Sequence, residues 1–123
     1  MERQLDNKSY GILEVKMRGV VNIEDVLNHY VSIAGDKSLP DKIKVLVDLK
    51  ETRLNINPDE LDNYTESMEK ALSRFVHIKE AIVVEKPRET AIAMLLGKEL
   101  SGSKNYFIEI FSTERAAANW LAY

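Results

Sequence analysis

The segment Ile-Lys-Val-Leu-Val-Asp-Leu at residues 43–49 is the strongest fold signal in the sequence. Branched apolar side chains dominate it, the turn-forming pair Pro40-Asp41 precedes it, and four polar residues, 50–53, follow it. Such a run is typical of a strand that is covered on both faces, as in a parallel sheet flanked by helices. We therefore predict a central strand over residues 43–49 that ends where the polar residues begin.

The composition indicates one ordinary globular domain over residues 1–123. Of the 123 residues, 45% are hydrophobic and 30% charged, and the net charge is -3. The mixed charges offer no electrostatic footprint for nucleic acid and no polybasic segment for a membrane surface. Cysteine is absent, which excludes disulfides, thiol catalysis and thiolate metal sites. Since no apolar run approaches the ~20 residues of a spanning helix, we expect no membrane span and a cytoplasmic location.

Apolar patterns around the central strand predict an α/β fold of about five strands and about four helices. Their order is β-β-α-β-α-β-α-β-α, which favours a mostly parallel sheet with helices on its faces. A turn cluster at residues 6–9 separates the first two strands, and the residues from Gly19 to Asn22 lead out of the second. The predicted strands cover residues 1–5, 10–18, 43–49, 78–84 and 106–111.

Capping residues mark where the helices begin. Asn22, with Asp25 three positions later, predicts a helix that ends at Gly35. Asn57-Pro58 predicts a second helix that begins at Pro58, with Glu60 completing a capping box. A third helix is predicted over residues 88–100 with Ala91, Ile92, Leu95 and Leu96 inward, and a last one follows Ser112-Thr113. Core packing is the expected role of Tyr64, Met68, Phe75, Met94 and Trp120.

These patterns resemble the SpoIIAA-like group of small bacterial proteins, which have a STAS-like fold. The matching pieces are Gly11-Ile12-Leu13 with Gly19 after the strand, then residues 45–49, residues 81–84, and residues 111–121 from Phe111 to Trp120-Leu121. The resemblance implies a mixed sheet with one antiparallel edge strand. It also implies a role in binding or regulation rather than a reaction.

The same resemblance raises the question of a phosphorylation switch. In relatives that antagonise anti-sigma factors, a Ser or Thr at the start of the helix after the central strand is phosphorylated. Here Asn57 stands about where that hydroxyl is expected, and Thr52 is the only hydroxyl nearby. We therefore predict that this chain lacks the switch.

Ligands of open α/β sheets usually lie outside the carboxyl ends of the strands. The candidate ligand- or partner-binding residues at these ends are Asp48, Arg53, Lys86, Arg88 and Ser112. They indicate either a small anionic ligand or charged partner motif, or the ordinary charge of solvated loops, which is the more frequent arrangement. Asp48 is either a ligand contact or a carboxylate that accepts nearby loop amides.

The sequence favours a non-catalytic binding or regulatory domain with a protein partner or small ligand and no cofactor. Asp25 and His29 are one helical turn apart, but no further metal ligands can be placed, so we expect a surface pair and no metal. One alternative is a carrier of an apolar, lipid-like ligand in a cavity of several hundred Å³ between helices and sheet. Another is an enzyme that uses Asp48 with Lys86 or Arg88. Self-association through an edge strand or an apolar helix face stays open.

Overall fold

One five-stranded sheet organises the part of the chain that the structure describes. The structure, a computed structural model, describes the backbone of residues 2–8 and 11–123 and the side chains from residue 11 onward. The elements are β1 (Glu2–Lys8), β2 (Ile12–Asn22), α1 (Ile23–Gly35), β3 (Lys42–Asn55), a short 3-10 helix (Pro58–Glu60), α2 (Asp62–Leu72), β4 (His77–Val83), α3 (Pro87–Leu100), β5 (Tyr106–Phe111) and α4 (Glu114–Leu121).

The strands lie in the order β1-β2-β3-β4-β5, which is also their order in the chain. β1 runs antiparallel to β2 at one edge, and the other pairs are parallel. The predicted mixed α/β fold with four helices and a parallel sheet is confirmed over the described residues. β1 continues to Lys8, so most of the predicted turn cluster is strand. The predictions that fall on residues 1, 9 and 10 lie outside the described residues.

The two faces of the sheet are covered unequally. We call the side that carries α1, α2 and α3 the three-helix face, and the opposite side the α4 face. Val45 and Val47 are 0% and 2% exposed in the large core of the three-helix face, and Leu46 between them is 4% exposed in the smaller core beneath α4. The segment at residues 43–49 is therefore buried on both faces, as its apolar run predicts.

β3 does not end at the polar residues that follow Leu49, and that prediction is wrong. The strand continues to Asn55 and pairs with a matching extension of β2 that includes Val20 and Val21. Between the pairs Lys16–Asp48 and Arg18–Glu51, β3 contains one residue more than β2, which makes a β-bulge. After the bulge, Thr52 and Leu54 point inward and the polar residues that alternate with them face water. Residues 50–53 are polar because one face of this part of the strand is exposed, and their composition alone therefore did not predict a strand.

The predicted helix boundaries are partly right. The Asn22 amide donates to Asp25 Oδ2 at 2.8 Å at the start of α1, which ends at Gly35 as expected. The Asn57 side chain accepts the Asp59 amide, but it caps the 3-10 helix, and α2 begins only at Asp62.

Some of the residues predicted to be buried are exposed. Met68 and Phe75 lie in the core as expected, while Tyr64 and Trp120 are half-buried. Met94 is 60% exposed, which contradicts its predicted core role. On α3 the inward positions include Ile92 and Ala93, whereas the predicted Ala91 and Leu95 face solvent.

Gly19 in β2 has a φ of +82°, which a residue with a side chain rarely adopts. A Cβ at this position would meet no atom within 4 Å, so the backbone conformation alone opposes substitution. We expect Gly19→Ala to lower the free energy of unfolding by about 1–2 kcal/mol. Urea unfolding measures this loss. Gly35→Ala, also in open space but without a positive φ, is the control, and equal losses in both variants would contradict the explanation.

Candidate functional site

The five predicted site residues do not converge on one centre. Asp48 lies at the bulge of β3, Arg53 in the strand beyond it, Lys86 and Arg88 at the start of α3, and Ser112 after β5. Among the described residues, no hydrogen bond or ion pair joins any two of them. Asp48, Lys86 and Arg88 bond to backbone groups of β3, and four of the five residues, all but Asp48, are exposed.

Asp48 belongs to the bulge rather than to an open cleft. It is buried, and its Oδ1 accepts the Lys50 amide at 2.9 Å. Its Oδ2 lies 3.8 Å from Lys50 Nζ and 3.9 Å from Lys16 Nζ. The Thr52 hydroxyl closes the other side of the bulge by donating to the Leu49 carbonyl at 2.7 Å. Asp48 therefore accepts a nearby amide, which is the structural one of its two predicted roles; the other was contact with a ligand.

Lys86 and Arg88 bind the part of β3 that has a strand on one side only, that of β2. The pairing with β4 stops before this extension. Lys86 Nζ donates to the Thr52 carbonyl at 3.3 Å, and Arg88 donates to the Leu54 carbonyl at 2.8 Å. The Leu54 amide donates to Glu89 Oε2 at 3.2 Å, and Arg88 pairs with the same oxygen at 3.0 Å. Side chains of α3 thus satisfy the backbone groups that a further strand would otherwise bind.

Glu89, which was not predicted, is the buried member of this group. Burial alone would raise its pKa. The backbone hydrogen bond from Leu54 and the neighbouring Arg88 outweigh that effect, so the pKa of Glu89 lies below its ordinary value of 4.5. Glu89 therefore remains an acceptor for the strand amide at neutral pH.

Arg53 and Ser112 also face solvent, like Lys86 and Arg88. Arg53 lies on the outward side of the β3 extension. Ser112 lies on the rim of a recess of about 320 Å³ at the carboxyl ends of β4 and β5. The other lining residues are Val84, Glu85, Thr90, Met94, Ile110 and Phe111. The recess combines an apolar floor with a polar rim.

A buried polar cluster under α1 was missed by sequence reasoning. Glu80 of β4 is fully buried on the three-helix face and accepts three hydrogen bonds. His29 Nε2 lies 2.7 Å from its Oε2, and the hydroxyls of Tyr30 and Tyr106 lie 2.7 and 2.6 Å from its Oε1. The signal in the sequence was the position of Glu80 between Ile78 and Ile82, where strand alternation requires it to point inward.

The contacts of Glu80 favour its charged form despite its burial. Burial raises the pKa of this carboxyl, but the charge of His29 and the hydrogen bonds from His29, Tyr106 and Tyr30 outweigh that effect. The pKa of Glu80 therefore lies below its ordinary value of 4.5. Burial and the nearby Glu80 charge raise the pKa of both tyrosines well above 10, so both hydroxyls stay protonated and able to donate.

The position of His29 corrects a prediction. We expected a surface pair with Asp25, but His29 is 3% exposed and bonds to Glu80, while Asp25 caps its own helix. Within the described residues, no group of three or more potential ligands could hold a metal ion.

A small cavity of about 30 Å³ adjoins His29, Tyr30 and Glu80 between α1, α3 and the sheet. That volume holds roughly one water molecule. The apolar-carrier alternative needs several hundred Å³ at this place. The cavity is therefore far too small for a lipid chain, and the predicted carrier cavity is not formed here.

Comparison with known proteins shows the fold. No protein-family model and no curated protein matches the chain. The chain is similar to a solved structure of an uncharacterised DUF3478-family protein with a SpoIIAA-like fold from Shewanella loihica PV-4. That match has a TM-score of 0.61 and 15% identity, and covers 98% of this chain and 92% of the other.

Two further solved structures are of SpoIIAA itself. The phosphorylated Bacillus cell fate determinant matches with a TM-score of 0.54 and 11% identity over 98% of this chain and 99% of the other. The unphosphorylated anti-sigma factor antagonist matches with a TM-score of 0.55 and 10% identity over 98% of both chains. The chain therefore has a SpoIIAA-like, STAS-like fold, as the resemblance of its sequence implied. None of the helices in the described residues has the length and apolar character needed to cross a bilayer.

The buried Glu80 predicts a specific loss of stability in acid. Because its folded pKa is lowered, its contribution is present above its ordinary pKa and is lost as the pH falls through the folded value. We expect Glu80→Gln to lower the free energy of unfolding by about 3 kcal/mol at neutral pH. The variant should also flatten the dependence of stability on pH below about pH 5. Urea unfolding over this range measures both, with the exposed Glu66→Gln as control. An unchanged slope in Glu80→Gln would contradict the assignment.

The two predicted arginines should respond differently to truncation. Arg88→Ala removes hydrogen bonds to the β3 extension, so we expect a loss of about 1 kcal/mol in the free energy of unfolding. Arg53→Ala removes an exposed side chain and should change it by less than about 0.5 kcal/mol. Thermal and urea unfolding of both variants make the comparison. Equal effects would show that Arg88 does not support the strand.

Proposed function

We propose that this chain is a non-catalytic binding domain with a regulatory role, which docks a protein partner at the recess beside Ser112. The recess carries the proposal because its composition suits an anchored partner side chain. Met94 and Phe111 supply apolar contact, while Glu85, Thr90 and Ser112 supply polar groups at the rim. An apolar centre with a polar border is the usual arrangement of a protein interface.

The other predicted residues have separate roles in this proposal. Asp48, Lys86 and Arg88 hold the bulge and the extension of β3, so they support the docking surface without contacting the partner. Arg53 is exposed at the same end of the sheet, where it is available to an acidic group of the partner.

The geometry also supports a domain without a phosphorylation switch. Thr52 is 1% exposed, and its hydroxyl donates to the Leu49 carbonyl, so a kinase would have to unfold the bulge to reach it. Asn57 carries a carboxamide that caps the 3-10 helix. Regulation by this chain would then depend on partner concentration rather than on phosphorylation at either position.

Three observations support a binding rather than a catalytic function. His29 and Glu80, whose separation suits acid–base chemistry, are enclosed beside a cavity with room for roughly one water molecule. Asp48 contacts Lys16 and Lys50, whereas Lys86 and Arg88 bond to β3 carbonyls, so the residues of the enzyme alternative are engaged elsewhere. One of the similar structures is of an anti-sigma factor antagonist, which is a protein-directed role.

Substitution at the rim tests the proposal. We expect Ser112→Arg to fill the recess and to reduce recovery of the partner from lysate of the native host by about tenfold or more. Ser32→Arg changes the same residue type at an exposed position of α1 and should recover as much partner as the wild type. Quantitative mass spectrometry of the copurified proteins makes the measurement.

The outcomes separate the function from the site. If the wild type enriched no protein over a control bait, the binding function would be wrong. If Ser112→Arg recovered the same partner as Ser32→Arg, the binding site would be wrong. Unfolding curves of both variants establish that each is folded before it is used.

A further inference from the structure

The outer edge of β5 has unpaired backbone groups. Asn105 and Phe111 direct their carbonyls towards β4, where they accept the amides of Ile78 and Val84. Backbone groups alternate in direction along a strand, so the amide and carbonyl of Ile108 and Ile110 point away from β4. β5 is the last strand on this side of the sheet among the described residues. These groups are therefore available to another strand.

A groove of about 730 Å³ follows this edge. Its floor is β5 itself, and its sides carry Met94 and Gly97 of α3 on the three-helix face and Trp120 of α4 on the other. Met94 is 60% exposed and Phe107 of β5 is 46% exposed, so a large apolar side chain flanks the edge on each face of the sheet. An extended strand placed along β5 would cover both.

The two edges of the sheet differ in their protection. β1, at the far edge, has the sequence Glu-Arg-Gln-Leu-Asp-Asn-Lys, and such charged residues keep an edge strand from pairing. β5 has the sequence Tyr-Phe-Ile-Glu-Ile-Phe, with strong strand formers, no Pro or Lys, and a single charge at Glu109. An exposed apolar edge of this kind is expected where another strand pairs.

We propose that a second copy of this chain pairs with β5, antiparallel to it and around a two-fold axis at Ile108. The charge of Glu109 argues against the neighbouring register centred on that residue. A two-fold axis at Glu109 would place two like charges directly opposite each other, which is destabilising. An axis at Ile108 instead places Glu109 of each copy opposite Phe107 of the other.

The second copy is the occupant because the edge is complementary to itself. The same register brings Ile110 of each copy opposite Tyr106 of the other, so the apolar residues of β5 meet apolar residues along the pair. A two-fold interface uses one patch twice, and here it covers Met94 and Phe107 in both copies at once. The result is one continuous sheet across the dimer, with only the charged β1 strands at its ends.

A charge exchange tests both the pairing and its register. Phe107→Glu places a carboxylate opposite Glu109 of the other copy, twice per dimer, and should raise the dissociation constant of the dimer about tenfold or more. Adding Glu109→Lys to this variant turns each repulsive pair into an attractive one and should restore most of the affinity. Val31→Glu, at an apolar position 51% exposed on α1, should leave the dimer unchanged. Sedimentation of the purified chain measures all four proteins.

A cysteine at the axis gives a second measurement that does not depend on weakening the dimer. The chain contains no cysteine, so Ile108→Cys introduces a single thiol. Because the amide and carbonyl of Ile108 face the other copy, the two Ile108 residues would form a hydrogen-bonded pair with Cα atoms about 5.5 Å apart, a separation that a disulfide can span. Mild oxidation should therefore link two copies through this residue, whereas Val31→Cys should stay unlinked.

The groove shares Met94 and Ile110 with the recess proposed above for a partner. These tests still succeed or fail separately from the proposed function, because the purified chain is measured without any partner protein. A dimeric wild type, weakened by Phe107→Glu and restored by Glu109→Lys, would support it, as would the specific disulfide. A wild type that is monomeric at every concentration would overturn it. A dimer that Phe107→Glu leaves intact, with no disulfide from Ile108→Cys, would also overturn it.

Discussion

The structure depends on burying both faces of β3 at once. This strand pairs with β2 on one side and β4 on the other. Val45 and Val47 point into the larger core, and Leu46 between them points into the smaller one. A strand buried in this way requires helices above and below it. The parallel connections supply the helices of the three-helix face, and α4, which follows β5, covers the other face. The two layers are unequal because only α4 covers the second face. Much of the charge of β2 and β3, including Lys16 and Glu51, therefore stays on that partly open face.

The length of β3 then decides how the carboxyl end of the sheet is used. β3 continues beyond the last residue of β4 that pairs with it, so the extension has a strand on one side only. The start of α3 fills the other side with side-chain hydrogen bonds from Lys86, Arg88 and Glu89. These charged side chains, which in an ordinary loop would be free to contact a ligand, therefore bond to the backbone of β3. The partner site that we propose therefore lies at the recess beside Ser112, with the exposed Arg53 at the same end of the sheet.

The predictable features of this fold are those whose cause lies within a few residues. The Asn22–Asp25 cap and the Thr113 cap follow from side chains that reach their own helix, and the bounds of β5 follow from its run of strand formers. The end of β3 could not be found in this way, because residues 50–53 are polar and only their pairing with β2 makes them a strand. The same limit applies to the contacts of Lys86 and Arg88, because their acceptors lie in another element.

The contacts of Glu80 with distant residues fix the register of β4, which its local sequence pattern does not determine. The strand β4 is apolar enough to tolerate sliding, and a slip of one residue would exchange its two faces. Such a slip would turn Glu80 away from His29, Tyr30 and Tyr106 and would bring Lys79 into the three-helix core.

In the observed register, Lys79 instead lies over the Trp120 ring on the α4 face, where its amine donates to the carbonyls of Trp120 and Tyr123. Both charged residues would lose their partners together in the wrong register, and an unpaired buried charge is strongly destabilising. The cluster therefore joins α1, β4 and β5 in one alignment. That alignment also decides which side chains of β5 face the two sides of its open edge.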